Sequence, residues 1–366
     1  AKGAGEAGHS VSILSLADTS INQLPGNWPA EIIQINKSRT FLAGKLGTVF
    51  ERLRPDAIFW PLAWREPAWR MKAAAAFGIP VIGYFPGGSY KIATALNTAQ
   101  KIGTKNARPY LMETFTRKKR QVQTLKAAGC SRIIAMTDFT ARQVVNAGYE
   151  KAHVHAIPPG KDSKTCFENN GLPEEFDQWR QGRPYFLFMG PPARIRGVME
   201  MLQAFDRAAE KHPDVCLVCL FRPDSRLDSA LIQDKNARMK HRERVWPVWE
   251  MLDETTRNAF VSRCFALVQP FVVVPSEIPL AIIENMAWGK PVIVTNAEGT
   301  GEFARPFGLV APPGRIRDLS DAMLRLLNDE ALYAEKAENA RTLYEKHLDW
   351  ADVAGQWIGV AESLWR

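Results

Sequence analysis

Cysteine is scarce in this chain. Five residues in 366, an odd number spread thinly, exclude a disulfide scaffold and fit a reducing compartment. Long apolar runs are missing too. The best stretch, 265–274, is short and holds Gln269 and Pro270, so a spanning helix of about 18 residues or more is excluded. There is no internal repeat with a period of roughly 20–50 residues and no low-complexity tract. No secretory signal is visible. What is present is an ordinary globular composition, 46% hydrophobic and 23% charged, long enough for about two domains of roughly 100–200 residues.

The formal charge of +8 is unevenly distributed. Residues 1–160 hold 21 basic and 9 acidic side chains, a balance of +12, whereas residues 161–366 hold 26 and 30, a balance of −4. An asymmetry of this kind points to an anionic partner on the first half alone: nucleic acid, a membrane surface or an acidic polymer.

Strand-like runs at 31–36, 57–62, 80–85, 132–137 and 153–157 alternate with helical runs at 41–52, 68–77, 108–128 and 140–147. Short connections between such runs imply parallel βαβ units. The chain opens on what reads as the tail of a helix capped by Gly8, and a compact domain would place a strand ahead of it; residues upstream of Ala1 are therefore expected. Pro158-Pro159-Gly160-Lys161-Asp162 breaks the pattern, and polar residues with Gly171 and Pro173 continue the break to Pro184, which marks an interdomain segment. Alternation resumes with strands at 185–189, 215–221, 265–268, 291–295 and 309–310, among helices at 197–211, 226–240, 280–288 and 318–328. The end, 331–365, is almost wholly helical. Two doubly wound α/β domains follow, with ligands expected beyond the carboxyl ends of the strands.

The most informative stretch is Pro275 to Asn296. An acid in a loop, Glu277, precedes a helix that carries a second acid, Glu284, stops at Gly289 and gives way to a strand at Pro291. The N–H groups of Leu280 and Ala281 would open the helix as a ready anion site. A carboxylate beside that site suits a nucleotide, phosphates on the N–H groups and ribose on the acid. Stabilisation of the helix's own dipole is the other reading.

This stretch resembles the signature of the family 4 retaining glycosyltransferases of the GT-B fold, in which an acid and a short turn precede L-x-x-x-E-A-M-A-x-G-x-P-V-I. Leu280, Glu284, Met286, Ala287, Gly289, Pro291, Val292 and Ile293 match. Five further segments agree in order: Gly8-His9-Ser10-Val11; Ile157 to Asp162; Phe188-Met189-Gly190 followed by Arg194 and Arg196-Gly197; Asn296 to Glu302; and Leu309 to Gly314. The resemblance implies an α/β chain of two Rossmann-like, doubly wound domains facing across a cleft. Residues 1–163 would be the acceptor domain and 164–345 the donor domain, with 346–366 a helix crossing back onto the first.

The resemblance also implies roles. Glu284 would bind the donor ribose; Gly190, Leu280 and Ala281 would complete the donor site. Arg196, in place of the family's Lys, would hold the diphosphate together with Arg194, and both arginines are catalytic candidates with Glu277. Arg holds phosphate as a planar fork, and two cations with a helix N-terminus could stabilise a departing diphosphate without a metal. The chain has no Asp-x-Asp, and no cofactor is implied, the nucleotide sugar being a substrate.

Two departures stand out. Glu277 and Glu284 have six residues between them, where the family usually has seven, so that Ser276 falls at the first acid's place. The His that the family often carries after an N-domain strand is absent; Pro86 is followed by Gly87, Gly88, Ser89 and Tyr90 on the acceptor side. The glycines would allow close approach to a ligand or simply make a turn.

Residues 91–160 hold 12 basic and 3 acidic side chains, and one predicted helix carries Tyr110, Phe115, Arg117, Lys118, Lys119 and Arg120. These four cations are expected at an anionic membrane surface, about 1 kcal/mol each, rather than on nucleic acid. Trp60, Trp64 and Trp69 would stack on an acceptor sugar or pack in the core. Cys216 and Cys219, three apart on a strand, would face opposite sides and hold no common metal.

The resemblance thus implies a metal-independent, retaining transferase, acting on a glycan or lipid-linked glycan of the cell envelope, cytoplasmic and peripheral to the inner face of the plasma membrane. The alternatives are an epimerase of nucleotide sugars on the same fold, and a non-catalytic subunit assisting a partner enzyme.

Overall fold

The computed structural model describes residues 4–5, 7–15, 30–34, 39–65, 68–90, 92–162, 171–222, 228–274 and 276–365. Of the expected interdomain segment, residues 163–170 lie outside the described residues, as does Pro275. In chain order the elements are β1 (Val11–Ser15), β2 (Ala30–Gln34), α1 (Arg39–Leu53), β3 (Ile58–Pro61), α2 (Ala68–Ala75), β4 (Val81–Phe85), α3 (Ile92–Ile102), α4 (Thr104–Thr114), α5 (Lys118–Ala127), β5 (Cys130–Ala135), α6 (Asp138–Asn146) and β6 (Val154–Ala156). There follow α7 (Glu174–Arg180), β7 (Tyr185–Gly190), α8 (Val198–Lys211), β8 (Cys216–Phe221), α9 (Ser229–Ala237), β9 (Val245–Val248), α10 (Glu254–Arg263), β10 (Ala266–Gln269), α11 (Leu280–Ala287), β11 (Val292–Thr295), α12 (Thr300–Ala304), β12 (Gly308–Ala311), α13 (Ile316–Asn328), α14 (Glu330–Glu345) and α15 (Trp350–Glu362). Contacts divide the chain into two units, one of Ala1–Gly88, Thr116–Ser163 and Leu348–Arg366, the other of Ser89–Phe115 and Lys164–His347.

In the first unit β3, β4, β5 and β6 pair in parallel in that order, and β1 pairs with β2. Side chains on β4 alternate with the pleat. Val81 and Phe85 join a core with Leu46, Phe50, Val122 and Leu125, while Ile82 turns to the opposite face with Ile134 and Ile157. That opposite face is closed by α15, through Val353, Val360 and Ala361, so the last helix returns to the first sheet. Its entry is fixed by a capping box in which Asp349 accepts from Ala351 and Asp352 N–H groups and Asp352 accepts from the Asp349 N–H. Such a cap contributes about 1 kcal/mol. Lys161 bridges to Asp349 in parallel, and a Cβ on Gly160 would lie 2.7 Å from the Trp350 nitrogen. That close approach of two backbones explains the glycine in Pro159-Gly160-Lys161.

The second unit carries a six-stranded parallel sheet in the order β12-β11-β10-β7-β8-β9. Strand order reverses between β7 and β10, the topological switch point of a Rossmann-like sheet. Both faces are covered. Phe186, Phe188, Leu217 and Cys219 lie on one side against α8, and Leu187, Cys216, Val218 and Leu267 on the other against α11 and α14. The two cysteines thus sit on opposite faces, and burial pushes both thiols up.

The helix expected over 108–128 is two helices. The α4 helix ends at Thr114, whose hydroxyl donates back to the Tyr110 carbonyl, and α5 starts after an extended Arg117. Their packing partners differ: Ala107 is buried with the second unit, and Val122 and Leu125 in the core of the first. By its contacts the segment Ser89–Phe115, expected in the first domain, groups with the second unit. Among the described residues no helix is long and apolar enough to cross a membrane.

Candidate functional site

Three loops leave the carboxyl ends of β7, β10 and β11, neighbours at the switch point, and hydrogen bonds lock them together. After β7 a single 3₁₀ turn, Arg194–Arg196, presents the Ile195 carbonyl to the Val272 and Val273 N–H groups of the loop after β10, at 2.9 and 3.0 Å. Thr295, ending β11, donates its hydroxyl to the Phe271 carbonyl at 2.5 Å. Buried Gln269 donates to the Met189 carbonyl at 2.9 Å. Gly197 closes the turn at φ +74, where a Cβ would stand 1.8 Å from the Pro270 oxygen.

The Arg196 guanidinium lies 5.5 Å over the Phe271 ring and beside Gly190, whose φ of +143 and empty Cβ position leave room for it. No acid pairs with its side chain among the described residues. Desolvation, with Arg222 nearby as the lesser cause, lowers its pKa from 12.5 to about 10. A cation held at such cost without a counter-charge is prepared for an anion. Arg194 differs. Its Nε and backbone N–H both meet the Asp228 carboxylate, at 3.3 and 2.9 Å. Asp228 thus engages Arg194 and helps to anchor the turn.

Beyond β10, Pro279 leads into α11 with no side-chain cap, so the first N–H groups of Leu280 and Ala281 are left for an outside acceptor. Leu280 is 49% exposed. Glu284, one turn on, is partly exposed and lies 3.9 Å from Arg257 of α10, a weak pair at this distance and exposure. Glu277 is wholly buried. Its carboxylate accepts from the Gly299 N–H at 3.0 Å, and its carbonyl accepts from the Thr300 hydroxyl at 2.7 Å. It thereby joins the loop before α11 to the turn before α12.

The four residues expected on the acceptor side part company. Gly88 packs against α6, where a Cβ would meet Phe139 at 2.9 Å, so its small size serves packing. Gly87 is half-buried. Ser89 and Tyr90 group with the second unit, in which α3 packs on the 3₁₀ turn of Arg194–Arg196. The Tyr90 phenol is held far above its ordinary pKa, first by burial and then by the charges of Glu113 and Glu298, with Tyr110 and Glu277 behind them. It stays protonated throughout the physiological range. The charge of Glu277 thus reaches Tyr90 only as the least of these influences.

Sequence reasoning missed Asp228, Arg222 and Glu298. Arg222 follows β8 directly and donates its N–H to the Gly190 carbonyl at 3.1 Å; its place at a strand's carboxyl end was the available signal. Glu298, between β11 and α12, is 5% exposed and adopts φ +47.

Of the four cations expected at a membrane, Arg117, Lys119 and Arg120 are exposed. Lys118 differs from them: it sits 5.7 Å over the ring of Trp64, partly buried, and burial lowers its pKa. Trp64 itself is fully buried against Phe85, a core residue with no face for a sugar.

The profile of the glycosyl transferases group 1 matches residues 183–329. Alpha-D-kanosaminyltransferase of Streptomyces kanamyceticus is 28% identical over 192 residues, 50% of this chain and 46% of that protein. Mannosylfructose-phosphate synthase of Agrobacterium fabrum is 25% identical over 258 residues, 64% and 53%. The chain thus spans about half the length of these curated relatives. Among solved structures, a glycosyltransferase from Rickettsia africae superposes with a TM-score of 0.73 at 16% identity, covering 100% of this chain and 93% of that one. Anabaena HepE, solved with UDP and glucose, gives 0.67 at 15%, covering 96% and 91%. Residues 183–329 are therefore similar to the glycosyl transferases group 1, and the chain carries the GT-B fold.

Proposed function

We propose that this chain transfers a sugar from a nucleoside-diphosphate donor to an acceptor hydroxyl, with retention of anomeric configuration. The observation that carries the reading is Arg196, a desolvated cation without an acid partner among the described residues, set at the switch point of the second sheet. The diphosphate would lie against Arg196 and the opening N–H groups of Leu280 and Ala281, with the ribose on Glu284. As the sugar–oxygen bond breaks, these donors take up the charge developing on the leaving diphosphate, and the protein supplies this stabilisation without reorganising. Glu277 holds the two loops in register rather than acting on the sugar itself. Tyr90, neutral, can donate a hydrogen bond where a carboxylate could not.

The kinship with proteins solved with UDP supports a nucleotide-sugar donor. The acceptor is proposed to be a glycan or lipid-linked glycan. The +12 balance of residues 1–160, with Arg117, Lys119 and Arg120 exposed, favours an anionic lipid surface beside it.

The test combines donors based on UDP or GDP with sugar acceptors and follows both nucleotide release and the anomeric proton by NMR. Acceptor-dependent release with the donor's anomeric configuration in the product is expected. An epimer formed without acceptor would replace transfer by epimerisation. Nucleotide binding with no turnover on any acceptor would make the chain a binding subunit.

A further inference from the structure

We infer that the helical hairpin of α3 and α4 is a lipid-docking element, whose outward apolar side chains enter the headgroup–acyl boundary of an anionic bilayer. The inference rests on the lipid surface proposed above and deepens it, adding an apolar face where there was charge alone.

The α3 helix is built the wrong way round for a helix in water. Its inner face buries Thr94, Ala95 and Thr98, and it packs on the Arg194–Arg196 turn. Thr98 satisfies its hydroxyl on the Thr94 carbonyl at 2.7 Å. Ile92 and Leu96, one turn apart and each 57% exposed, face outward. A helix whose outer face met only water would do the reverse. The next helix repeats the pattern. Gly103 alone joins the two, at φ +81, and they pack together. An outer stripe at helical spacing on α4 and its C-cap carries Arg108, Met112 and Phe115, the last 63% exposed. The Tyr90 ring meets Tyr110 edge-on at 5.5 Å, so the opening of α3 lies beside the second half of α4. The four apolar side chains therefore share that half of the hairpin. Of the eleven large apolar side chains exposed among the described residues, four fall between 92 and 115, the clustering of an interaction surface rather than of stray exposure.

Charge identifies the partner. Residues 91–120 hold eight Lys and Arg and one acid. Arg108 lies in the stripe itself, and exposed Arg117, Lys119 and Arg120 follow Phe115 closely in the chain. The one acid, Glu113, is half-buried, and its charge acts on Tyr90 and Tyr110. Apolar anchors flanked by cations, with no exposed acid among them, match a bilayer bearing anionic headgroups, where long basic side chains reach back to the phosphates. Because the inner face of α3 packs on the Arg194–Arg196 turn, that bilayer would lie one helix diameter, roughly 10 Å, from the proposed donor site. A lipid-linked acceptor would need to rise no further than that.

The test is flotation of the full chain with vesicles of phosphatidylcholine, alone or mixed with phosphatidylglycerol, at low and high salt. Wild type is expected on the mixed vesicles and more weakly on the neutral ones. Leu96→Gln/Phe115→Gln should partition at least about tenfold more weakly at both salt levels, and should melt as the wild type does, both sites being exposed. Arg117→Gln/Lys119→Gln/Arg120→Gln should weaken binding at low salt alone, where charge contributes. Equal flotation of Leu96→Gln/Phe115→Gln and wild type overturns the inference; if the triple variant then fails to float, charge alone holds the bilayer and only the electrostatic lipid reading stands. Equal flotation of wild type on both vesicles overturns the anionic partner, and flotation on neither overturns both readings. A dimer in light scattering that the Leu96 and Phe115 substitutions dissolve would give the face to a second copy and overturn the inference as well. Thermal shift with UDP and GDP is run in parallel: failure of both nucleotides strikes the donor reading and leaves the flotation result standing.

Discussion

Replacing Arg196 with methionine should abolish nucleotide-sugar turnover and at the same time make the protein more stable. The first effect follows from the anion. Removing one preorganised donor to a developing oxyanion costs about 10²- to 10³-fold in rate, and here the donor carries a full charge. The second follows from the folded-state cost of that charge. Burial and Arg222 take the guanidinium from 12.5 to about 10. Folding therefore gives up about 3 kcal/mol at neutral pH to keep it protonated. Methionine fills similar volume without the charge but forgoes the contact with Phe271, worth about 1 kcal/mol. The net gain is about 1–2 kcal/mol, a few degrees in melting temperature. Because the folded pKa is depressed, the cost is fully present below about pH 10 and relieved only as pH rises toward the unfolded value. The gain should accordingly be flat between roughly pH 6 and 9. A variant that melts lower, or that keeps turnover, contradicts the assignment; differential scanning calorimetry and a steady-state assay read the two.

The second large effect concerns Gly197. Alanine there would place a methyl carbon 1.8 Å from the Pro270 oxygen at φ +74. Backbone stands on both sides of that clash, so no side chain can swing away. The turn would have to leave the loop after β10 and break the paired bonds from Val272 and Val273 to Ile195. A loss above about 4 kcal/mol, or no folded protein at all, is expected. Gly182 provides the control: it is also left-handed, at φ +76, but nothing lies within 4 Å of its missing Cβ. Gly182→Ala should cost only the conformational strain, about 1–2 kcal/mol. Urea unfolding of both variants separates strain from collision; equal losses would mean that the Gly197 contact is relieved cheaply.

Most of the frame was legible in the sequence because its signals are local. Runs such as Tyr185 to Gly190 and Cys216 to Phe221 are apolar throughout, as strands buried on both faces must be, and the period of two put Cys216 and Cys219 on opposite sides. Arg196 and Glu284 stood out through the family resemblance, which sets them after a strand end and early in a helix. What was not legible depends on partners distant in the chain. Arg194 carries no mark of Asp228, which reaches it from 34 residues away. The interruption at 115–117 has neither glycine nor proline to mark it, and the helices on either side group with different units. Glu298 carries no distinguishing mark in the sequence, where it is one acid in a polar turn. Its left-handed backbone and burial arise only when the turn closes over Glu277.

The central claim is that the carboxyl ends of β7, β10 and β11 hold a nucleoside diphosphate. The most direct measurement is a crystal structure of the protein with the nucleotide that stabilises it most. The account predicts the diphosphate in contact with the Arg196 guanidinium and the Leu280 and Ala281 N–H groups, and the ribose hydroxyls on Glu284. A nucleotide bound with its phosphates away from Arg196, or on the first unit, would contradict it.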